Sequence, residues 1–381
     1  MRRPVLLAAL LPMLAVGGDA WAQAPADTVK HKEQPGWWNI PGTASRLKVG
    51  GYVKADLIHD LSPIGSPNFF DVSKIPTDGS TGQSTRVQAM ESRLFLDLRR
   101  TSSVGELKAF VEGDFYGSGN TFRLRHAYAQ VGERWLIGQT WSTFMDEGII
   151  PATLDFEKPA AYAFSRHAQM RYTQPLGGGL SLAIAVEDPS TNIITPGPGT
   201  VTAPLPDGVL RLKHDGSKGH VLLAGFLATA RFKPDSGATQ DVMGSGVNLS
   251  GLLKVGKRDR LTAQLLYGPG VARSRFGPYA APDVNGELKP ITGLGATIGF
   301  EHWWTDKWSS FAVFNYGEDE PEDGQPTTES DLVTYGAVNL LWHFADHAFV
   351  GAEYLHGQRE DLLGNDGKAD RIMVSVRVDI N

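Results

Sequence analysis

The chain has 381 residues and no cysteine. No disulfide or thiolate metal site can form, and cysteine nucleophiles are excluded. It also lacks a basic excess. Its 36 Lys and Arg stand against 42 Asp and Glu, a formal net charge of −6, which argues against a polybasic nucleic-acid binder. Past Ala22 no apolar run approaches the ~20 residues that a membrane helix needs, so a helical membrane bundle is excluded. With 41% hydrophobic residues spread along its length, the chain is equally unlike a disordered polymer. Two classes survive: a large soluble fold, and a transmembrane β-barrel whose strands hide their apolar half by alternation.

The first element present is an export signal. Arg2 and Arg3 precede an apolar core from Val5 to Val16, and Ala20-Trp21-Ala22 offers a small-x-small cleavage site. This pattern predicts a signal peptide over 1–22 and a mature chain starting at Gln23. A short periplasmic segment over 23–46 then leads into a single domain over 47–381.

That domain alternates. Ile372, Val374, Val376, Val378 and Ile380 share one parity, while Arg371, Met373, Ser375, Arg377 and Asp379 hold the other. Period two with β-branched residues on one face is a strand with one apolar and one wet side. The same reading predicts strands near 47–58, 91–101, 105–116, 121–132, 134–141, 166–174, 179–188, 208–215, 218–231, 243–256, 259–268, 291–303, 307–317, 331–344, 346–357 and 370–380. The parity over 218–231 and 307–317 is ambiguous. Tight connections alternate with longer ones at 59–90, 142–165, 189–207, 232–242, 269–290, 318–330 and 358–369, with 117–120 as the brief exception. Short turns at one end and long loops at the other fit an outer-membrane barrel of sixteen strands. Trp135, Trp303, Trp304, Trp308, Trp342 and Phe344 all lie beside the short turns and are expected to form a periplasmic aromatic girdle.

Several stretches resemble DcaP-like outer-membrane porins. They are Ile40-Pro41-Gly42-Thr43, the run Leu47-Lys48-Val49-Gly50-Gly51-Tyr52-Val53-Lys54-Ala55-Asp56, and Glu91-Ser92-Arg93-Leu94. Phe122-Arg123-Leu124-Arg125-His126-Ala127-Tyr128 and Gly138-Gln139-Thr140-Trp141-Ser142-Thr143-Phe144 complete the set. The resemblance runs from about Ile40 to the end and is densest before residue 175. It implies a sixteen-stranded homotrimeric porin of a Gram-negative outer membrane, associated with uptake of small dicarboxylates and other organic anions. Two departures stand out: the segment before the barrel is shorter than in Acinetobacter-type members, and the last strand ends Asp379-Ile380-Asn381 without an aromatic.

Nothing in the chain has the spacing of an enzyme site. There is no Walker-type glycine cradle and no His-Glu-x-x-His, so no catalytic residue, metal or cofactor is expected. The acidic runs Glu318-Asp319-Glu320 and Glu322-Asp323 read as solvated loops rather than a cation site. The partners expected are small organic anions, membrane lipid, lipopolysaccharide and further copies of the chain, with no nucleic acid.

The wet parity carries the functional expectation. It holds more Lys and Arg than Asp and Glu although the whole chain is acidic, and a low-dielectric wall focuses such an excess on anions. Lys54, Arg93, Arg123, Arg125 and Arg171 are the candidate substrate-binding residues. Arg123 and Arg125 lie about 6–7 Å apart by strand rise, which suits the two carboxylates of a short diacid. The competing reading neutralises both against Glu112 and Asp114 on the preceding strand. The 142–165 loop is too apolar to sit in water and is expected to fold into the lumen as the constriction, with Asp146, Glu147, Asp155 and Glu157 facing the arginines. An adhesin, an anchor or a membrane-embedded hydrolase is the alternative. An adhesin would need a large external domain, and a hydrolase a Ser, His and acid gathered on facing strands.

Overall fold

The computed structural model describes residues 36–189, 191–275, 277–325 and 330–380. The signal peptide over 1–22 and most of the 23–46 segment lie outside the described residues. Period-two alternation becomes strand throughout: β1 Ser45–Asp60, β2 Arg93–Ser102, β3 Gly105–Asp114, β4 Arg123–Val131, β5 Trp135–Trp141, β6 Arg166–Gly177, β7 Leu180–Glu187 and β8 Asp207–Gly216. The second half continues with β9 Gly219–Pro234, β10 Gln240–Val255, β11 Asp259–Pro269, β12 Thr292–Trp303, β13 Trp308–Glu320, β14 Ser330–Ala345, β15 Ala348–Asp361 and β16 Asp366–Asp379. The sheet has 19 strands, of which the short pieces Trp38–Asn39, Ser84–Gln88 and Gly199–Thr202 flank the sixteen of the wall. Every neighbour is antiparallel, and β1 closes on β16 with Val53 opposite Val378. Closure leaves no exposed sheet edge to satisfy.

The two parities separate as alternation requires. Val53, Leu57, Leu94, Leu96, Ile372 and Val376 are exposed on the outside, while Lys54, Asp56, Asp97 and Arg371 are buried within. In a bilayer that outer set is covered by lipid, which is the only way so many aliphatic side chains avoid water.

Two expected long loops are short. β9 and β10 run to Pro234 and from Gln240, and β15 and β16 run to Asp361 and from Asp366, so only 235–239 and 362–365 remain as turns. The backbone ladder continues through polar residues beyond the point where side-chain alternation marks the membrane. The girdle is also corrected at one position. Trp135, Trp304, Trp308, Trp342 and Phe344 are exposed on the outer face. Trp303 instead stacks on His343 at 4.8 Å and donates from Nε1 to Glu301, because it sits on the opposite parity from Trp304.

The lumen is partly filled by two loops. Residues 61–83 bring Ile64, Phe70, Val72 and Ile75 against Ile58, Val333, Tyr335, Leu355 and Met373 on the inner face of β1 and β14 to β16. The 142–165 loop brings Phe144 against Ala185, Leu222 and Phe226 on β7 and β9. This packing explains the ambiguous parity of β9 and β13. Their inward residues Leu222, Phe226, Phe311 and Val313 are as apolar as their outward ones because they meet protein, not water.

Candidate functional site

The 142–165 loop is fixed by polar groups that strands aim inward. Glu187 on β7 accepts from Ser142 Oγ at 2.7 Å and Thr143 N at 2.6 Å. Asn248 on β10 donates to Phe144 O, and Gln264 on β11 accepts from Ala163 N. Asn315 on β13 accepts from Ala161 N, and Asn339 on β14 donates to Ala152 O. Glu353 on β15 accepts from both Leu154 N and Asp155 N, at 2.7 and 2.9 Å. All but the Ser142 hydroxyl bond satisfy a loop backbone group that the lumen would otherwise leave unpaired. The strap therefore lies along the inner wall from β7 round to β16 and meets β1 through Lys54 and β6 through Gln169, leaving the inner faces of β2 to β4 the least covered.

The loop acids divide accordingly. Asp146 takes His220 Nε2 at 2.8 Å, Ser250 Oγ at 2.9 Å and Gly148 N at 3.0 Å, so it turns to β9 and β10 and away from the arginines. Burial alone raises its pKa, but the bonds from His220 and Ser250 hold the carboxyl below its ordinary value. The Ser250 hydroxyl donates to the acid rather than to the imidazole, so this trio is not arranged to generate a nucleophile. Asp155 is 1% exposed and pairs with Arg371 at 2.8 Å, while accepting from Phe70 N and Glu157 N. It binds the two inserted loops to β16. Glu157 lines a cavity of about 680 Å³ at the outer mouth, together with Phe69, Asp71, Tyr162, Arg275 and Asp319. Burial, with Asp71 and Asp155 nearby, pushes its carboxyl up to about 7. Only Glu147 stands exposed on the lumen side, in the fields of Arg171 and Arg211.

The five candidate cations also differ. Lys54 is 2% exposed and lies in the seam between β1 and the loop, with Nζ on Glu91, on Leu154 O and 3.1 Å from Asp56. Arg125 is 1% exposed and pairs with Glu112 and Asp114, both at 2.9 Å. Arg123 meets Asp114 with a two-pronged contact, Nε at 3.0 Å and Nη2 at 2.8 Å. The neutralising acids of the competing reading are therefore in place for these two. Arg93 is looser: Nη1 lies 3.8 Å from Glu112, the guanidinium lies over the Tyr52 ring, and its buried Nε has no partner. Arg171 is half-buried and makes no ion pair within 4.0 Å among the described residues.

Two further arginines join them. Arg166 stacks over Trp141 at 4.7 Å with a buried Nη1 that has no partner. Arg211 on β8 stands free among the described residues, as Arg171 does. Arg171 lies opposite Ala185, and Arg211 opposite Ala183, both alanines pointing inward at 2% and 1% exposure. Small side chains between two long ones leave the guanidinium groups room. Arg211 lies on the wet parity of its strand, but nothing in the sequence marked it as free of a partner. Arg166 escaped notice because it opens its strand, where alternation carries no information. A β-bulge at Arg125 was equally invisible: Glu112 pairs with His126 and Gly113 with Leu124, so one extra residue turns both Arg125 and His126 inward.

A sequence model of the family described as DcaP outer membrane protein matches residues 34–276. No curated protein matches the chain. Among solved structures, the outer membrane channel DcaP of Acinetobacter baumannii is similar with a TM-score of 0.78 at 20% identity, over 88% of this chain and 98% of that one. An anion-selective porin from Comamonas acidovorans has a TM-score of 0.60 at 11% identity, over 88% of this chain and 100% of its own. The trimer form of OmpT from Vibrio cholerae has 0.57 at 15%, over 88% and 99%.

Proposed function

The chain belongs to the DcaP outer membrane protein family, and from that premise we propose a homotrimeric porin for passive, anion-preferring diffusion of small organic acids, dicarboxylates among them. That it is an outer-membrane channel of the porin fold follows from the family and the barrel. The substrate charge is our reading, and one observation carries it: Arg171 and Arg211 face the lumen with no carboxylate within 4.0 Å among the described residues, near Glu147, the one exposed acid of the four on the strap. Paired arginines make a polar wall. Unpaired ones in a low-dielectric lumen attract anions.

The arginines form two levels. Arg93, Arg123, Arg125 and Arg166 lie toward the long-loop end. Arg171 follows Arg166 by five positions on β6, toward the tight turn after Gly177. A diacid can shed one guanidinium before the next releases it, and binding stays weak enough for flux. Arg93 and Arg166 offer the upper level its unpartnered N–H groups, with Arg123 and Arg125 held in place behind them by Asp114 and Glu112. The anion selectivity of the Comamonas porin and the trimer form of OmpT support the anion preference and the oligomer as expectations for this chain. The outer apolar face would meet lipid, and lipopolysaccharide at its external rim. Against an adhesin, the two longest loops, 61–83 and 142–165, turn inward rather than build an external domain.

The test is the reversal potential across a planar bilayer in a potassium chloride gradient. Wild type should prefer chloride, and Arg171→Ala with Arg211→Ala should lose most of that preference. A cation-selective wild-type pore would end this reading.

A further inference from the structure

The open wall carries a second feature that electrostatics does not use. Phe95 on β2, Phe110 on β3 and Tyr128 on β4 all share the inward parity of their strands, with Arg93 and Asp97, Lys108 and Glu112, and His126 as inward neighbours. Their rings form a row around the barrel. Phe95 and Phe110 stack at 5.5 Å with 29° between planes, and Phe110 and Tyr128 follow at 5.4 Å and 34°. Each ring is half-buried, and Phe110 has a ring neighbour on either side. Gly50 on β1 makes the row possible at its end, since a Cβ there would sit 2.4 Å from the Phe95 ring. Among the described residues no ring contact joins either inserted loop to these three rings; the strap's ring contacts on this side are made by Phe156, with Tyr116, Arg123 and Arg125, and by Phe164, with Trp141.

Cations bracket the row. Arg93 stands two residues from Phe95 on the same strand, about 7 Å along it. On the other side Lys108 Nζ lies 5.0 Å from the Phe110 ring and 5.1 Å from the Tyr128 ring, and donates to Tyr128 Oη at 2.9 Å. Arg171 lies near Tyr128 on the side toward the tight turns. A wall that only had to stay wet would not leave three adjacent rings half-exposed to lumenal water, where apolar surface is unfavourable.

We propose that Phe95, Phe110 and Tyr128 form a ring-binding subsite, and that the pore favours organic anions carrying a planar aromatic ring, the arenecarboxylates, over aliphatic acids of equal charge and size. The ring lies flat on the row while the carboxylate exchanges between Arg93 above and Lys108 or Arg171 below. The subsite rests on the anion-preferring reading above and adds to it a selectivity for the neutral part of the solute. Ring–ring contact of this kind strengthens binding by about three- to tenfold over an aliphatic body of equal size.

The test titrates the reconstituted full-length porin with benzoate and with cyclohexanecarboxylate, monoanions of near-equal size, and reads current blockade. Benzoate should block at several-fold lower concentration. Phe95→Leu with Phe110→Leu, which keeps apolar bulk and removes the π-faces, should bring the two acids level while leaving blockade by succinate unchanged. Equal blockade in wild type overturns the subsite, as does a benzoate preference that survives the double substitution. If chloride preference and succinate blockade are present without ring discrimination, the subsite alone has failed. If they too are absent, the anion-pore reading has failed with it.

Discussion

The wall of β9 to β16 and the wall of β2 to β4 belong to one sheet but have opposite inner surfaces. On the first, Leu222, Phe226, Phe311, Leu355 and Met373 point inward and are almost wholly buried against the 61–83 and 142–165 loops. On the second, Arg93, Phe95, Lys108, Phe110, Arg123 and Tyr128 point inward and remain half-buried. The inward parity of a barrel is polar only where water is kept. Where a loop replaces the water, the same parity becomes a protein core and obeys core packing.

The largest effect expected of breaking this division is at Arg371. It is fully buried, pairs with Asp60 at 2.6 Å and Asp155 at 2.8 Å, and donates to Pro67 O. It thus ties both inserted loops to the covered wall. Arg371→Met leaves buried Asp155 without its cation and Asp60 with Arg86 alone, and should cost about 3–5 kcal/mol, read as a lower unfolding midpoint in detergent with noisier single channels. An unchanged midpoint would mean that the loops are held elsewhere.

A smaller contrast compares side chains of similar character on the two walls. Leu355→Ala, at a fully buried site, should destabilise by about 2–4 kcal/mol through the cavity it leaves. Phe110→Ala on the open wall should cost on the order of 1 kcal/mol, because its ring already meets the lumen on one side. Denaturant midpoints of the two variants measure the difference, and equal losses would erase the distinction between the walls.

A pH effect comes next. The folded protein holds the Glu157 proton up to about 7, because of burial and of Asp71 and Asp155, whereas the unfolded chain releases it at the ordinary carboxyl value. A raised acid pKa means that the folded state binds more protons across that interval. Stability contributed by Glu157 is therefore greatest at low pH and declines as pH rises through about 7. The outer mouth also gains a negative charge there, so chloride preference should weaken between about pH 6 and pH 8. Glu157→Gln should flatten that slope, and an identical slope in the variant would assign it to another group. Least of all, the exposed pair Arg231–Asp241 at the outer ends of β9 and β10 belongs to neither inner wall. Arg231→Ala should leave both midpoint and selectivity unmoved.

Most of the barrel was legible because membrane strands write burial into every second residue. β1 and β16 declare both faces in sequence, and the apolar 142–165 loop declared its place inside. Three things were not legible. The inner faces of β9 and β13 read as ambiguous because their partner, a loop distant in sequence, is apolar too. The bulge at Arg125 left no mark, since an extra residue looks like any other until the partner strand is present. The division of the cations was hidden as well. Lys54, Arg125, Arg171 and Arg211 carry the same charge on the same parity, and only the neighbours brought by the fold separate two paired residues from two free ones.

The central claim is that the lumen has one wall against water and one against protein, and the absence of native cysteine allows this to be measured without background. Single substitutions Tyr128→Cys and Leu355→Cys are treated, in the reconstituted porin, with a small charged methanethiosulfonate while current is recorded. Modification at 128 should proceed readily and alter conductance, and the thiol at 355 should react only after denaturation. Comparable rates at the two positions would contradict the account.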